Sequence, residues 1–271
     1  MRSVRALALA GVALAAGVPA AAAHDLFIKL TSYFLRPGAG VRVPILNGTF
    51  TSSDNAVARD RIADLALVSP AGRTTLDTMA LDAARDTTFL ELRAGGPGTY
   101  VLGLSTRPNR IALSGEEFAG YLAEEALTDV IAARKAAGLA ADSARERYSK
   151  HVKAVFQVGA ERTDGHATLL GFPAEIVPLD NPYRLRRGAA LRVRCLVDGR
   201  PRANLPVLAG GRGPDGSRLR RRELRTDADG VVSLPLDARG KWYVKFIHMT
   251  RVNDPDVDYE SKWATLTFEV R

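Results

Sequence analysis

The feature that most constrains the fold is a series of short apolar runs separated by turns rich in glycine and proline. The runs are rich in β-branched and aromatic residues, which favour strands, and Ser69-Pro-Ala-Gly and Gly95-Gly-Pro-Gly are typical turns between them. From His24 to about Arg107 this pattern predicts an antiparallel β-sandwich. The predicted strands are 26–30, 41–47, 62–68, 88–93 and 98–105.

Residues 108–150 show helical spacing instead. Ser114 precedes two acidic residues, which is typical of a capped helix start, and Phe118 and Leu122 then recur one turn apart. Gly138 interrupts this helix, and the segment 143–149 is predicted to continue as a second one. We therefore expect two helices, followed by a strand at 152–158.

The C-terminal segment returns to strand spacing, with turns at Asp198-Gly-Arg-Pro and Thr226-Asp-Ala-Asp-Gly. This order resembles transthyretin-like and carboxypeptidase-regulatory β-sandwich modules, and the resemblance implies a fold only. We predict a mainly β protein with two β-sandwich (Ig/transthyretin-like) domains and a helical insertion between them. The predicted C-terminal strands are 191–197, 205–208, 231–236 and 242–249. The predicted boundaries are 24–107 for the first sandwich, 108–150 for the insertion, 151–180 for a strand and connection, and 181–271 for the second sandwich.

The first 23 residues have the order of a secretory signal peptide. Arg2 and Arg5 precede a short apolar run, and Ala21 and Ala23 form an Ala-x-Ala cleavage pattern. The run is too short to span a bilayer, and no later stretch reaches about 18 uninterrupted apolar residues. We expect cleavage of residues 1–23, export to the periplasm and no membrane span afterwards.

The composition limits the possible partners and the source of stability. The full chain has a net charge of +8, but its basic residues lack the interleaved aromatic platform of a nucleic-acid binder, so we expect no nucleic acid. Cys195 is the single cysteine, so the chain forms no internal disulfide and depends on its apolar cores. Its strand-like surroundings predict that Cys195 is a small buried apolar residue.

Cleavage after Ala23 would leave a histidine at the mature N-terminus. The α-amine and Nδ1 of His24 could then bind one metal ion and close a chelate ring, a nitrogen site that suits Cu²⁺ or Ni²⁺. Asp25 and a predicted strand follow directly, so this terminus would be held in place. The alternatives are cleavage after Ala22, which would remove the amine from the site, and a histidine without a metal role.

The other three histidines are ambiguous from the sequence. His248 shares a strand face with Trp242 and Phe246, so it is either a core residue or a ligand. His151 lies at a predicted helix–strand junction, where a surface position is the alternative, and His166 lies in a turn and is interpreted as a loop residue. No pair has the spacing of a zinc motif, so any metal site must be assembled from distant segments.

The loop 253–260 carries four alternating acidic residues. Their oxygens could bind Ca²⁺, but the loop lacks the glycine and spacing of an EF-hand, and ion pairs with surface arginines are the favoured interpretation. No nucleophile elbow, phosphate loop or dinucleotide fingerprint is present, so we expect a binding protein rather than an enzyme. The four acids are Asp254, Asp256, Asp258 and Glu260.

Several stretches also carry a family resemblance. They are Ala23-His-Asp-Leu-Phe-Ile-Lys, Tyr33-Phe-Leu-Arg-Pro-Gly, Leu46-Asn-Gly-Thr-Phe, Glu146-Arg-Tyr-Ser-Lys-His-Val-Lys-Ala, Pro173-Ala-Glu-Ile-Val-Pro-Leu-Asp-Asn-Pro-Tyr, Phe246-Ile-His-Met and Tyr259-Glu-Ser-Lys-Trp-Ala-Thr-Leu-Thr-Phe-Glu-Val. Together they resemble the NikM-like exported family, a domain of unknown function linked with nickel and cobalt uptake. The resemblance implies a metal role for the histidines inside these stretches, which are His24, His151 and His248. A looser likeness exists to periplasmic copper-resistance sandwiches, which also present an N-terminal histidine.

We therefore expect an exported periplasmic protein that binds a transition-metal ion, Ni²⁺, Co²⁺ or Cu²⁺, for uptake or handling. The expected nitrogen ligands are His24, His151 and His248, with Asp25 as an oxygen ligand or hydrogen-bond acceptor. A membrane transporter component is the expected partner. The alternatives are a metal-free adhesion or assembly module and a copper-brace oxidase.

Overall fold

The structure is a computed structural model that describes residues 24–271, so the predicted signal peptide lies outside the described residues. The described chain is mainly β. Its first nine strands are β1 (Asp25–Ile28), β2 (Phe34–Leu35), β3 (Gly40–Gly48), β4 (Ile62–Ser69), β5 (Gly72–Thr75), β6 (Leu81–Ala84), β7 (Thr87–Arg93), β8 (Gly98–Thr106) and β9 (Asn109–Leu113). The helices α1 (Gly115–Glu124) and α2 (Thr128–Ala136) follow. The remaining strands are β10 (Ala144–Val158), β11 (Ala174–Pro178), β12 (Ala190–Val197), β13 (Arg200–Pro201), β14 (Pro206–Arg212), β15 (Arg218–Arg225), β16 (Val231–Pro235), β17 (Gly240–Arg251) and β18 (Tyr259–Val270).

One ten-stranded sheet runs through the whole molecule. Its main strand order is β15-β14-β17-β18-β10-β8-β4-β5, and β2 and β9 also pair with β10. Strands β10 and β18 pair in parallel, from Glu146 opposite Tyr259 to Ala154 opposite Thr267. This pair joins the N-terminal and C-terminal halves of the chain in a single sheet.

Two smaller sheets cover the opposite faces of this central sheet. The first contains β1, β3, β7 and β6, and the second contains β11, β12, β13 and β16. On β10, Phe156 packs in the core under the first small sheet, whereas Val155 packs in the core under the second. Because consecutive strand residues point to opposite faces, the two cores lie on opposite sides of β10. The helices pack beside the first small sheet, against Ile247 and Met249 of β17.

The predicted helical segment 143–149 is a strand, which corrects the sequence interpretation. Ala144 and Glu146 are buried and Arg145 is exposed, as strand alternation requires. The backbone of this segment is paired on both sides, with β9 and with β18. Both helices lie before Gly138, and Ala126, which has a φ of 55°, separates them.

Several other predictions are confirmed. Each predicted strand overlaps an observed one, and Ser114 caps α1 through a reciprocal bond with Glu117. Trp242 and Phe246 are buried in the same core as Cys195. Neither helix in residues 24–271 has the length and apolar character needed to cross a membrane.

Candidate functional site

His24 immediately precedes β1 and is held from two sides. Its ring Nδ1 lies 2.9 Å from Oδ2 of Asp54, and its backbone oxygen accepts a hydrogen bond from Nζ of Lys150. The side chains of His24 and Asp54 retain 30% and 47% of their exposure, so both side chains are partly open to solvent. The first residue of the described chain is therefore fixed to the loop after β3 and to the central sheet.

The loop after β3 positions the Asp54 carboxylate. The backbone N–H of Asp54 donates to the backbone oxygen of Asn47, and Gly48 pairs with Asp25 of β1. A Cβ atom added to Gly48 would lie 2.6 Å from Oδ2 of Asp54. Glycine at this position thus leaves the space that the carboxylate occupies beside His24.

His24 lines two cavities. One, of about 380 Å³, lies over Tyr148, Lys150 and Trp263, and the other, of about 400 Å³, lies over Asp25 and Lys245. Both include His24 in their walls. A group bound at His24 would consequently be reached from either cavity.

The second cavity contains a buried charge cluster. Nζ of Lys245 lies 2.5 Å from Asp25 Oδ2 and 2.8 Å from Glu125 Oε1. Burial, followed by repulsion from Asp25, raises the pKa of Glu125 to about 7. Burial lowers the pKa of Lys245, but the two carboxylates together outweigh this effect and the net pKa is raised. Asp25, predicted as an oxygen ligand, is thus engaged by a lysine.

In the first cavity, Lys150 is buried and points between two aromatic rings. Its Nζ donates to Asn47 Oδ1 over 3.1 Å and lies 5.4 Å from the ring centres of Tyr148 and Trp263. Burial lowers the pKa of Lys150 to about 8. The side chain therefore places a desolvated amine in the cavity wall next to His24.

His151 points away from this site. It follows Lys150 in β10, so the two side chains project from opposite faces of the sheet. Ser105 Oγ lies 2.8 Å from its Nδ1 and Ser149 Oγ lies 3.0 Å from its Nε2. Burial, with a smaller contribution from Lys262, lowers the pKa of His151 to about 4. The ring is a neutral, hydrogen-bonded core residue.

His248 lies on the same face as His151, but β18 separates their strands. It pairs in register with Lys262, and its Nε2 is 3.1 Å from the guanidinium of Arg202. Partial burial, together with Arg202 and Lys262, lowers the pKa of His248. The Arg202 guanidinium thus lies beside the ring nitrogen that a metal ion would need.

The structure does not bring the four predicted ligands together. His24 and Asp25 lie on one face of the central sheet, and His151 and His248 lie on the other. Across residues 24–271, no three His, Cys, Asp or Glu side chains form a group that could hold a metal ion. His24 contacts Asp54 instead. A metal site at His24 would therefore need backbone or solvent donors besides these two side chains.

Two minor expectations are also resolved by the structure. His166, interpreted as a loop residue, is buried in a short 3₁₀ turn with 5% exposure. The acidic loop forms ion pairs with arginines, as favoured from the sequence, and the pairs are Asp254 and Glu260 with Arg147, Asp256 with Arg110, and Asp258 with Arg145.

Sequence analysis missed Asp54, Lys150 and Glu125. The sequence carries one weak signal for the first, because the family-like stretch Leu46-Asn-Gly-Thr-Phe ends four residues before Asp54. Lys150 also lies inside a family-like stretch, but the resemblance implies a metal role only for its neighbour His151. Glu125 is the first residue after α1, and only the fold brings it to Lys245.

Comparison with known proteins gives a family but no activity. Residues 21–250 match the domain of unknown function DUF4198, and the chain belongs to this family. No curated protein matches the chain.

The solved structures that match are distant. A two-domain fibronectin type-III segment from chicken tenascin is 12% identical, with 91% of this chain and 98% of that chain covered and a TM-score of 0.22. Trypsin-activated alpha-2-macroglobulin from Escherichia coli is 11% identical, with 91% and 16% covered and a TM-score of 0.24. Likenesses of this size carry no argument about the site.

Proposed function

We propose that this protein is exported to the periplasm and binds a transition-metal ion, Ni²⁺, Co²⁺ or Cu²⁺, through His24 at its mature N-terminus. The observation that carries the proposal is the contact between His24 Nδ1 and the Asp54 carboxylate, with His24 in the walls of two cavities. The resemblance to exported nickel- and cobalt-associated proteins supports the same conclusion.

The donor set fits a metal of this class. Removal of residues 1–23 frees the α-amine of His24, which joins the ring Nδ1 in a chelate, and Asp54 adds a carboxylate oxygen. Two nitrogens and one oxygen suit a divalent first-row metal, and these groups bind it in their deprotonated forms. Lys150 fixes the carbonyl of His24 and so limits the motion of the chelating residue.

Binding of this kind serves metal uptake or handling, with a membrane transporter component as the receiver of the ion. Three protein donors leave coordination positions for a receiving protein or a small ligand. The exposed side chains of His24 and Asp54 make such a transfer sterically open.

Calorimetry on the form that begins at His24 tests the proposal. We expect Cu²⁺ to bind with a dissociation constant below about 10 μM, because it binds nitrogen donors most tightly in this series. H24A and N-acetylation of His24 should each weaken binding at least about tenfold, since each removes one arm of the chelate. D54N, which keeps the size of the side chain, should weaken binding about 10-fold or more.

H248A is the matched control and should bind as the unaltered protein does. The proposal fails if none of the three ions binds below about 10 μM, or if H24A and the acetylated form bind as tightly as the parent. A metal-free adhesion or assembly module would then be the leading function.

A further inference from the structure

Lys150 differs from the other buried lysines of this protein. Lys153 and Lys245 each lie within 3 Å of a buried carboxylate, Glu175 in the first case and Asp25 and Glu125 in the second. Lys150 is also buried, with 8% exposure, but within residues 24–271 no carboxylate oxygen lies within 4.0 Å of its Nζ. Its hydrogen-bond partners are two neutral oxygens, the backbone oxygen of His24 and the side-chain Oδ1 of Asn47. Buried charges in proteins are ordinarily paired, so this ammonium lacks its counter-ion.

The missing partner has room in the cavity that Lys150 lines. At about 380 Å³ the cavity is within the range of small-molecule sites. Its walls combine apolar and aromatic surface, including Leu26, Ile111 and Trp263, with amide groups near Lys150. An organic molecule with an anionic end and an apolar body matches this distribution.

We propose that this cavity binds a small organic monocarboxylate, whose carboxylate pairs with Lys150 and whose apolar part lies against Trp263 and Tyr148. This inference goes beyond metal binding and does not depend on it, because the anion is held by the sheet and not by a metal ion. His24 lies in the wall of the same cavity, so the two sites are neighbours.

The charges around the cavity favour a single negative charge. Arg61 is the second cation in the wall; one terminal nitrogen of its guanidinium donates to the backbone oxygen of Arg107 and the group lies over the ring of Tyr148, whereas its buried Nε has no hydrogen-bond partner within residues 24–271. Glu146 also lines the wall, and Tyr121 donates to its carboxylate. A dianion such as phosphate would be repelled there and would leave the apolar walls uncovered.

Benzoate and benzamide form a matched pair of probes, since they share a ring and differ in charge. The protein has two tryptophans, of which Trp263 lines the cavity and Trp242 lies in the core on the other face of the sheet. In metal-free buffer, benzoate should shift the indole N–H resonance of Trp263 and leave that of Trp242 unchanged. Benzamide should bind at least tenfold more weakly, and inorganic phosphate should shift neither resonance.

K150M keeps the length of the side chain and removes its charge, so it should weaken benzoate binding at least tenfold. K135M, at an exposed position on α2, is the control and should bind benzoate normally. Equal binding of benzoate and benzamide overturns the proposal, as does absence of any benzoate shift at Trp263 or a phosphate shift at Trp263. If K150M does not fold, the comparison of the two probes on the parent protein decides alone.

Because these measurements use no metal, their failure would leave the metal proposal standing, and loss of metal binding in H24A would leave this one standing.

Discussion

The surroundings of each histidine determine what it can do. His151 has both ring nitrogens engaged by serine hydroxyls inside the central sheet, so it holds the neutral form and has no free lone pair for a metal. His24 has one ring nitrogen beside a carboxylate and a face open to solvent. The sequence favours His24 as a ligand but cannot exclude His151, because burial and hydrogen-bond partners arise only when distant strands meet.

His151 should make the protein less stable in acid. Its pKa falls from about 6.5 in the unfolded chain to about 4 in the folded one, so the unfolded state takes up a proton first. Its contribution is fully present above pH 6.5 and is lost as the pH falls from 6.5 towards 4, by about 3 kcal/mol in all. Urea unfolding of the parent and of H151Q at pH 7.5 and pH 4.5 measures this.

H151Q keeps a hydrogen-bonding side chain without the titrating ring, so its stability should change less over the same pH range. An identical pH dependence in the two proteins would assign the acid sensitivity to other groups.

The sequence predicts a strand well where the buried face of the strand is apolar, and poorly where the buried face is polar. On β17, Trp242 and Phe246 alternate with more polar residues and revealed the core face correctly. On β10, Glu146 and Lys150 are buried beside a cavity, so the alternation lacks its apolar member. For this reason the segment 143–149 shows no strand signal of its own, and the preceding helical spacing predicts a helix there instead.

Truncation of Phe246 tests the assignment of the core face of β17. The ring is 2% exposed, so F246A should lower the free energy of unfolding by about 3–5 kcal/mol, the usual cost of removing a buried ring. T250A, at an exposed position of the same strand, should change it by less than about 0.5 kcal/mol. Denaturant unfolding gives both values, and a loss under about 1 kcal/mol for F246A would contradict the assignment.

At the scale of the whole molecule, the two predicted sandwiches share one sheet. The sequence indicated two β segments separated by helices, but it contains no local signal for the parallel pairing of β10 with β18, which joins segments far apart in the chain. Alternation along β10 turns Lys150 and His151 to opposite faces and so separates His24 and Asp25 from His151 and His248. The site could be predicted in part, since His24 was identified and Asp54 was not.

The shared sheet should make the two halves unfold together. F246A weakens the core under the second small sheet. If the two halves unfold together, β3 and β7 of the first small sheet should lose as much hydrogen-exchange protection as the strands around Phe246. T250A is again the control. Unchanged protection of β3 and β7 in F246A would show two independently stable domains.

We propose that a single histidine, His24 at the mature N-terminus, holds the metal. Pulsed electron paramagnetic resonance of the Cu²⁺ complex, made with the protein that begins at His24, tests this because the method detects each coordinated imidazole. We expect coupling to one imidazole, present in H248A and absent in H24A. Coupling to two or more imidazoles, or coupling that persists in H24A, would contradict it.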